Sequence, residues 1–199
     1  MKKALLLFAV LAVTYACDNP VSKKIKETKE NVSNTTNAVK EMTKMQEDLQ
    51  ELQKEEPLTN EELKSWLPEE IEGMNRVGYK AGQMGMAQIA SIEGTYTNED
   101  KSKKFRISII DGAGQMGAAA TAGLRMILSQ EFEEEDENKS RRTVKKDGVK
   151  AIEEYRKKNN NSTVEFMQDN RFYIKANGTN MSIDEMWDAI DDLDIDDLG

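Results

Sequence analysis

The 199-residue chain has no histidine, one cysteine, three prolines and 6% aromatic residues. Each shortage closes off a class of chemistry. Without histidine, no triad that uses an imidazole base can be assembled, and the commonest metal ligand is missing. With Cys17 alone, there is no disulfide within the chain and no cysteine metal cluster. Few aromatics leave little for a sugar-stacking platform. No apolar run reaches the roughly 20 residues of a membrane-spanning helix. Composition leaves paired carboxylates as a catalytic device, since Asp and Glu total 37, but no pair stands out in an apolar or aromatic setting.

The first seventeen residues carry the clearest message. Lys2 and Lys3 precede an apolar stretch from Ala4 to Val13, followed by Thr14, Tyr15, Ala16 and Cys17. A cationic start, a short apolar run and a small residue at the cut site describe a secretory signal peptide over 1–16. Ending on the chain's single cysteine, the stretch resembles the leader of prokaryotic membrane lipoproteins, with Ala16 in the lipobox position and Thr14 and Tyr15 as departures from its usual Leu and small residue. The resemblance implies cleavage before Cys17, attachment of lipid (diacylglycerol and a palmitate-like acyl chain) to that residue, and a place at the bacterial cell envelope. More than one acyl chain is enough for stable anchoring. The alternative is ordinary cleavage after Ala16, which leaves a free thiol. Asp18 follows the cysteine and is read differently by different bacteria, so inner and outer membrane both stay open.

Removing Lys2 and Lys3 leaves 26 basic and 37 acidic residues, a net charge near −11 for the mature chain. A surface of that charge repels nucleic acid and anionic lipid head groups, and neither is an expected partner.

Residues 17–56 form an expected spacer. Val21, Ile25, Thr28, Val32, Thr35, Val39 and Met42 step by four and three, a coiled-coil spacing continued by Met45, Leu49 and Leu52. Threonines, Gln46 and Gln53 weaken that seam. A helical stalk, a disordered tether and a self-associating coiled coil are the three readings.

From Pro57 to Gly199 the pattern becomes that of an α+β domain: an antiparallel sheet covered on one face by a few helices. Thr59 with Glu62 and Ser182 with Glu185 are capping boxes, each flanked by a hydrophobic staple. Strands are expected near Arg76–Lys80, Met86–Thr97 and Lys104–Ile110, and a helix over Ala118–Gln130. Glu131–Glu137 reads as a solvated acidic loop. Asp147-Gly148 and Asp169-Asn170 are turns of two hairpins, Arg141–Lys146 with Val149–Arg156 and Ser162–Gln168 with Arg171–Ala176. The last helix buries Ile183, Met186, Trp187, Ile190 and Leu193, and Asp194–Gly199 is an acidic tail expected to fray. In layout alone, this order is similar to the PsbP/Mog1 type of fold.

Three local patterns invite a ligand. Gly112, Gly114 and Gly117 spell GxGxxG between a strand and a helix, but the hairpins that follow do not supply the parallel strand and acidic residue of a dinucleotide site. Ala-Gly-Gln-Met-Gly occurs at Ala81–Gly85 and again at Ala113–Gly117. Gly82, Gly85, Gly114 and Gly117 are therefore candidate ligand-binding positions, if the two copies lie side by side. Met84 and Met86 lack the histidine or cysteine that a copper site would add, and Asp192, Asp194 and Asp196 lack the rest of a calcium loop, so no metal or cofactor is expected. The expected function is a lipid-anchored, non-catalytic binding or scaffolding module. Its partners would be the membrane through the lipid, an envelope protein, and a second copy through the stalk. A carboxylate-dependent hydrolase and a carrier of small or apolar ligands are the alternatives.

Overall fold

The computed structural model describes residues 39–40, 43–84 and 89–198. Cys17, the leader, residues 21–38 and Met42 of the proposed seam, Gly85 and Met86 lie outside them. The contacts divide the chain into two compact units, residues 1–45 and 46–199. In the first, residues 39–40 and 43–45 are helical, and the Thr43 hydroxyl donates back to the Val39 carbonyl at 2.9 Å.

The second unit is mixed α/β and mostly sheet. A short helix, α1 (residues 46–52), ends on the buried Leu52. After it come α2 (Asn60–Trp66), β1 (Glu70–Ile71), β2 (Met74–Met84), β3 (Ile89–Thr97) and β4 (Lys104–Asp111). Helix α3 (Gly114–Ser129) leads to β5 (Glu133–Glu135), β6 (Lys139–Lys146), β7 (Val149–Arg156), β8 (Asn161–Gln168) and β9 (Phe172–Thr179), and α4 (Ile183–Asp191) closes the series. The nine strands form one sheet in the order β1-β2-β3-β4-β9-β8-β7-β6-β5, antiparallel at every pairing. Two meanders thus run outward from the central pair β4 and β9, and α3 is the link between them.

Local chemistry explains the punctuation. Both capping boxes form: Thr59 and Ser182 each accept from the backbone N–H three residues on, and Glu62 and Glu185 each accept from the cap's own N–H. Asp147 and Gly148 both have positive φ, 50° and 90°, as a tight hairpin between twisted strands requires.

Period-two alternation then sorts the sheet into two faces. On one, Phe105, Ile107 and Ile109 of β4 meet Ile92, Tyr96, Val164, Phe166, Ile174 and Ala176, covered by Leu63 and Leu67 from the α2 segment and by Met186 and Ile190 of α4. On the other face, α3 sets Leu124 and Leu128 on Ile110, Ile152, Met167 and Tyr173, a much smaller cluster. Helices therefore lie on both faces, which corrects the expectation of a sheet covered on one.

Four further expectations are corrected. Strand β2 runs through the glycine-rich stretch to Met84, because Gly78 and Gly82 sit in the ladder opposite Thr95 and Ser91. Helix α3 starts at Gly114 rather than Ala118, with Ala113 as N-cap. The acidic run is not all loop, since Glu133–Glu135 pair with Ser140–Arg142. The C-terminal tail is packed down rather than frayed: Ile195 and Leu198 are buried, Trp66 Nε1 donates to the Asp194 carbonyl at 3.2 Å, and the Glu72 N–H donates to Asp192 at 2.9 Å.

Candidate functional site

The glycine candidates separate. Gly82 lies in β2, and a Cβ built there meets nothing within 4 Å. Gly114 has φ +74°, and its Cβ would touch Pro57 Cγ at 3.0 Å; that of Gly117 would strike the Asp111 carbonyl at 2.6 Å. The close approaches are thus within the β4–α3 turn and to Pro57, and the two Ala-Gly-Gln-Met copies play different parts, one in a strand and one opening a helix.

That turn has the strand–glycine–helix shape of a phosphate cradle, but its helix N-terminus is occupied. The fully buried Asp111 carboxylate accepts from the Ala113 N–H at 2.9 Å and from the Leu58 N–H at 2.8 Å. Arg171 grips the same carboxylate through Nε at 2.8 Å and Nη2 at 2.9 Å, and also reaches Glu55 at 3.3 Å and the Glu56 carbonyl at 3.2 Å. These bonds, above all to Asp111, raise the Arg171 pKa. A carboxylate in this place opposes a pyrophosphate and instead clamps residues 55–58 to β4 and β9.

Acids line several grooves. In one, of about 330 Å³, Asp191 accepts from Lys146 and Asp196 from Gln168, each at 2.8 Å. A second, of about 550 Å³, runs between α2 and the C-terminal segment and is lined by Glu62, Trp66, Asp192, Asp194 and Asp197 among others. A glycosidase acid needs a raised pKa; Glu62 is lowered instead, first by its backbone hydrogen bond at Thr59, and Asp192 is spent on the Glu72 N–H. A third, of about 410 Å³, includes the buried Glu153, whose carboxylate accepts from Trp187 Nε1 at 2.7 Å and Arg142 Nε at 3.0 Å. Glu62, Asp192 and Glu153 are thus committed to structure. Among the described residues, no three His, Cys, Asp or Glu side chains gather where they could hold a metal ion, and no helix is long and apolar enough to cross a membrane.

The most distinctive surface is the α3 side of the sheet, where α3 covers only one end. The register aligns its residues in rows. Glu70, Asn75, Thr97, Lys104, Thr179, Asn161, Arg156 and Lys139 make one, with three cations and one carboxylate. The next is Thr95, Arg106, Asn177, Thr163, Glu154, Arg141 and Glu134. Then come Lys80, Glu93, Ser108, Lys175, Glu165, Ile152 and Thr143. Lys150 and Lys145 pair directly across β7 and β6, and Glu70 stands at the β1 edge. This face therefore carries nine cations against five carboxylates, a net +4 in a chain of −9, and the remainder of the chain carries −13.

The acid is concentrated on the other side. Residues 182–198, which include α4, contain eight acids and no base. The three buried side-chain polar atoms with no hydrogen-bond partner among the described residues, Arg106 Nε, Asn161 Oδ1 and Arg125 Nε, all belong to the α3 side. Sequence reasoning averaged the charge along the chain and missed this segregation, although the alternation of Lys104 and Arg106 with Phe105 and Ile107 was its signal.

No family model matches the chain, and no curated protein does. Among solved structures it is similar to a GTP binding regulator from Thermotoga maritima, at 10% identity and a TM-score of 0.32, covering 66% of this chain and 84% of that one. A likeness that slight bears on neither fold nor function.

Proposed function

We propose that the protein is an exported lipoprotein, anchored at the bacterial cell envelope by lipid on Cys17, whose α+β domain is a non-catalytic binding or scaffolding module. The observation that carries the binding part is the broad polar, cationic sheet face left open beside α3, a surface shaped for contact rather than for enclosing a substrate. Glu62, Asp192 and Glu153 in the grooves are spent on backbone and side-chain hydrogen bonds. The anchor rests on the leader: Lys2, Lys3, the Ala4–Val13 run and a lone cysteine after Ala16.

The test is the intact mass of the protein extracted from native membranes, beside a Cys17→Ser variant. The expected mass is that of residues 17–199 plus acyl chains, absent from the variant. An unmodified chain starting at Cys17 would remove the anchor, and an uncut chain would remove the envelope address.

A further inference from the structure

Helix α3 is chemically unlike the rest of this chain. One third of all residues are charged, yet α3 has one charge in 16 residues, and that one, Arg125, is turned inward to the Asn170 carbonyl and is 8% exposed. Between the exposed Gln115 and Ser129 at its ends, its outer surface is Met116, Ala119, Ala120, Gly123, Met126 and Ile127, with Met126 57% exposed and Ile127 47%. A helix that covers a sheet ordinarily turns charge to water. This one turns thioethers, methyls and an isoleucine.

The surroundings say what covers it. Lys80 stands toward the β2 side and Lys145 and Lys150 toward the β6–β7 side of the same sheet face. Lys145 stands directly opposite Lys150, whose ammonium is already held by Glu131 at 3.2 Å and the Ser129 carbonyl at 3.1 Å, so the uncompensated cation of that pair is Lys145. Lys80 and Lys145 make no ion pair among the described residues. We propose that this side of the domain is a docking surface for an anionic bilayer, with the outer face of α3 seated among the head groups and the flanking lysines on lipid phosphates.

Dimensions fit. A helix layer stands about 10–12 Å above its sheet, and interfacial helices sink about 5–10 Å into the head-group boundary. Long lysine stems rising from the sheet then reach the phosphates. Because neighbouring strands rotate about 20–25°, the whole nine-stranded face cannot lie on one plane; the contact centres on α3. The eight acids of residues 182–198, packed through α4 on the opposite face, point away from the lipid. The expectation that anionic head groups repel the chain assumed an even charge, which the structure does not have.

The inference deepens the binding reading by naming the occupant, and it stands on the sheet face rather than on lipid at Cys17. The full chain carrying Cys17→Ser is therefore floated with vesicles of phosphatidylcholine alone and of phosphatidylcholine with phosphatidylglycerol. Binding to the anionic vesicles, weakening with salt, is expected. Lys80→Glu with Lys145→Glu should lower it more than about twentyfold, given about fivefold for each cation near the surface. Met126→Asp with Ile127→Asp, at exposed positions, should abolish it while the circular dichroism spectrum is unchanged.

Equal binding to both vesicle types, no binding to either, or binding indifferent to both double variants would overturn the proposal. So would a dimer in sedimentation that Ile127→Asp splits, since a second copy would then cover α3. None of these outcomes touches the anchor, which the mass measurement decides.

Discussion

The two faces of the sheet use the same strands for opposite purposes. On the α2/α4 face the central strands set large apolar side chains such as Phe105, Ile107 and Ile109 into the core, and the helices that cover it turn their acids outward. On the α3 face the intervening residues are mostly Lys, Arg, Glu, Thr and Asn, left partly open, and α3 turns apolar side chains outward. Apolar burial is therefore concentrated on the first face and open polar surface on the second. The net charge of −9 describes neither.

Breaking the Asp111–Arg171 clamp should have the largest effect on that division. Asp111→Ala removes a fully buried carboxylate and strands Arg171 together with the Leu58 and Ala113 N–H groups. A loss of about 3–5 kcal/mol in urea unfolding is expected. Ile107→Ala, at 0% exposure on the core face, should cost about 2–5 kcal/mol, whereas Lys104→Ala on the open face should stay within about 0.5 kcal/mol. Equal losses at these two positions would erase the contrast.

The two Ala-Gly-Gln-Met copies sharpen it. Gly117→Ala forces a methyl against the Asp111 carbonyl and the Gly112 backbone and should cost about 1–3 kcal/mol. Gly82→Ala enters open space on β2 and should be neutral or gain up to about 1 kcal/mol. Thermal unfolding of both single variants reads the difference.

The smallest effect concerns pH. The Glu185 carboxyl is held below its ordinary 4.5, first by the side-chain bond from Lys103 and then by the Ser182 N–H. A lowered folded value means stabilisation that is present above pH 4.5 and is lost as pH falls through the folded value. Glu185→Gln should thus be less stable than the parent above pH 4.5 and converge with it as the pH falls through the lowered folded value. A gap that persists in acid would assign the loss to packing instead.

Much of this architecture could be read from residues, because its signals are local. Capping boxes at Thr59 and Ser182 and the turn at Asp147-Gly148 are decided by neighbours three or fewer positions apart. What escaped depends on distant partners. Gly82 lay beyond the strand expected at Arg76–Lys80, yet β3 supplies a ladder in which the missing side chains of Gly78 and Gly82 do no harm on the open face. Acidic Glu133–Glu135 resembled a loop until Ser140, Arg141 and Arg142 paired with it. The tail resembled a frayed end because nothing nearby shows that Trp66, 128 residues earlier, holds the Asp194 carbonyl. The Asp111–Arg171 clamp spans 60 residues and left no pattern in either segment.

Lys145 and Lys146 are neighbours in β6 that point to opposite faces, Lys145 across from Lys150 and Lys146 bonded to Asp191 at 2.8 Å. They allow the most direct test of the division between faces: amine labelling of the protein in its native membranes, compared with the same protein in detergent. Lys80 and Lys145 should be protected by the membrane, while Lys146 and Lys64 of α2 should label alike in both. Protection of Lys64 and Lys146 instead, or of none of the four, would contradict the assignment of the α3 face to the bilayer.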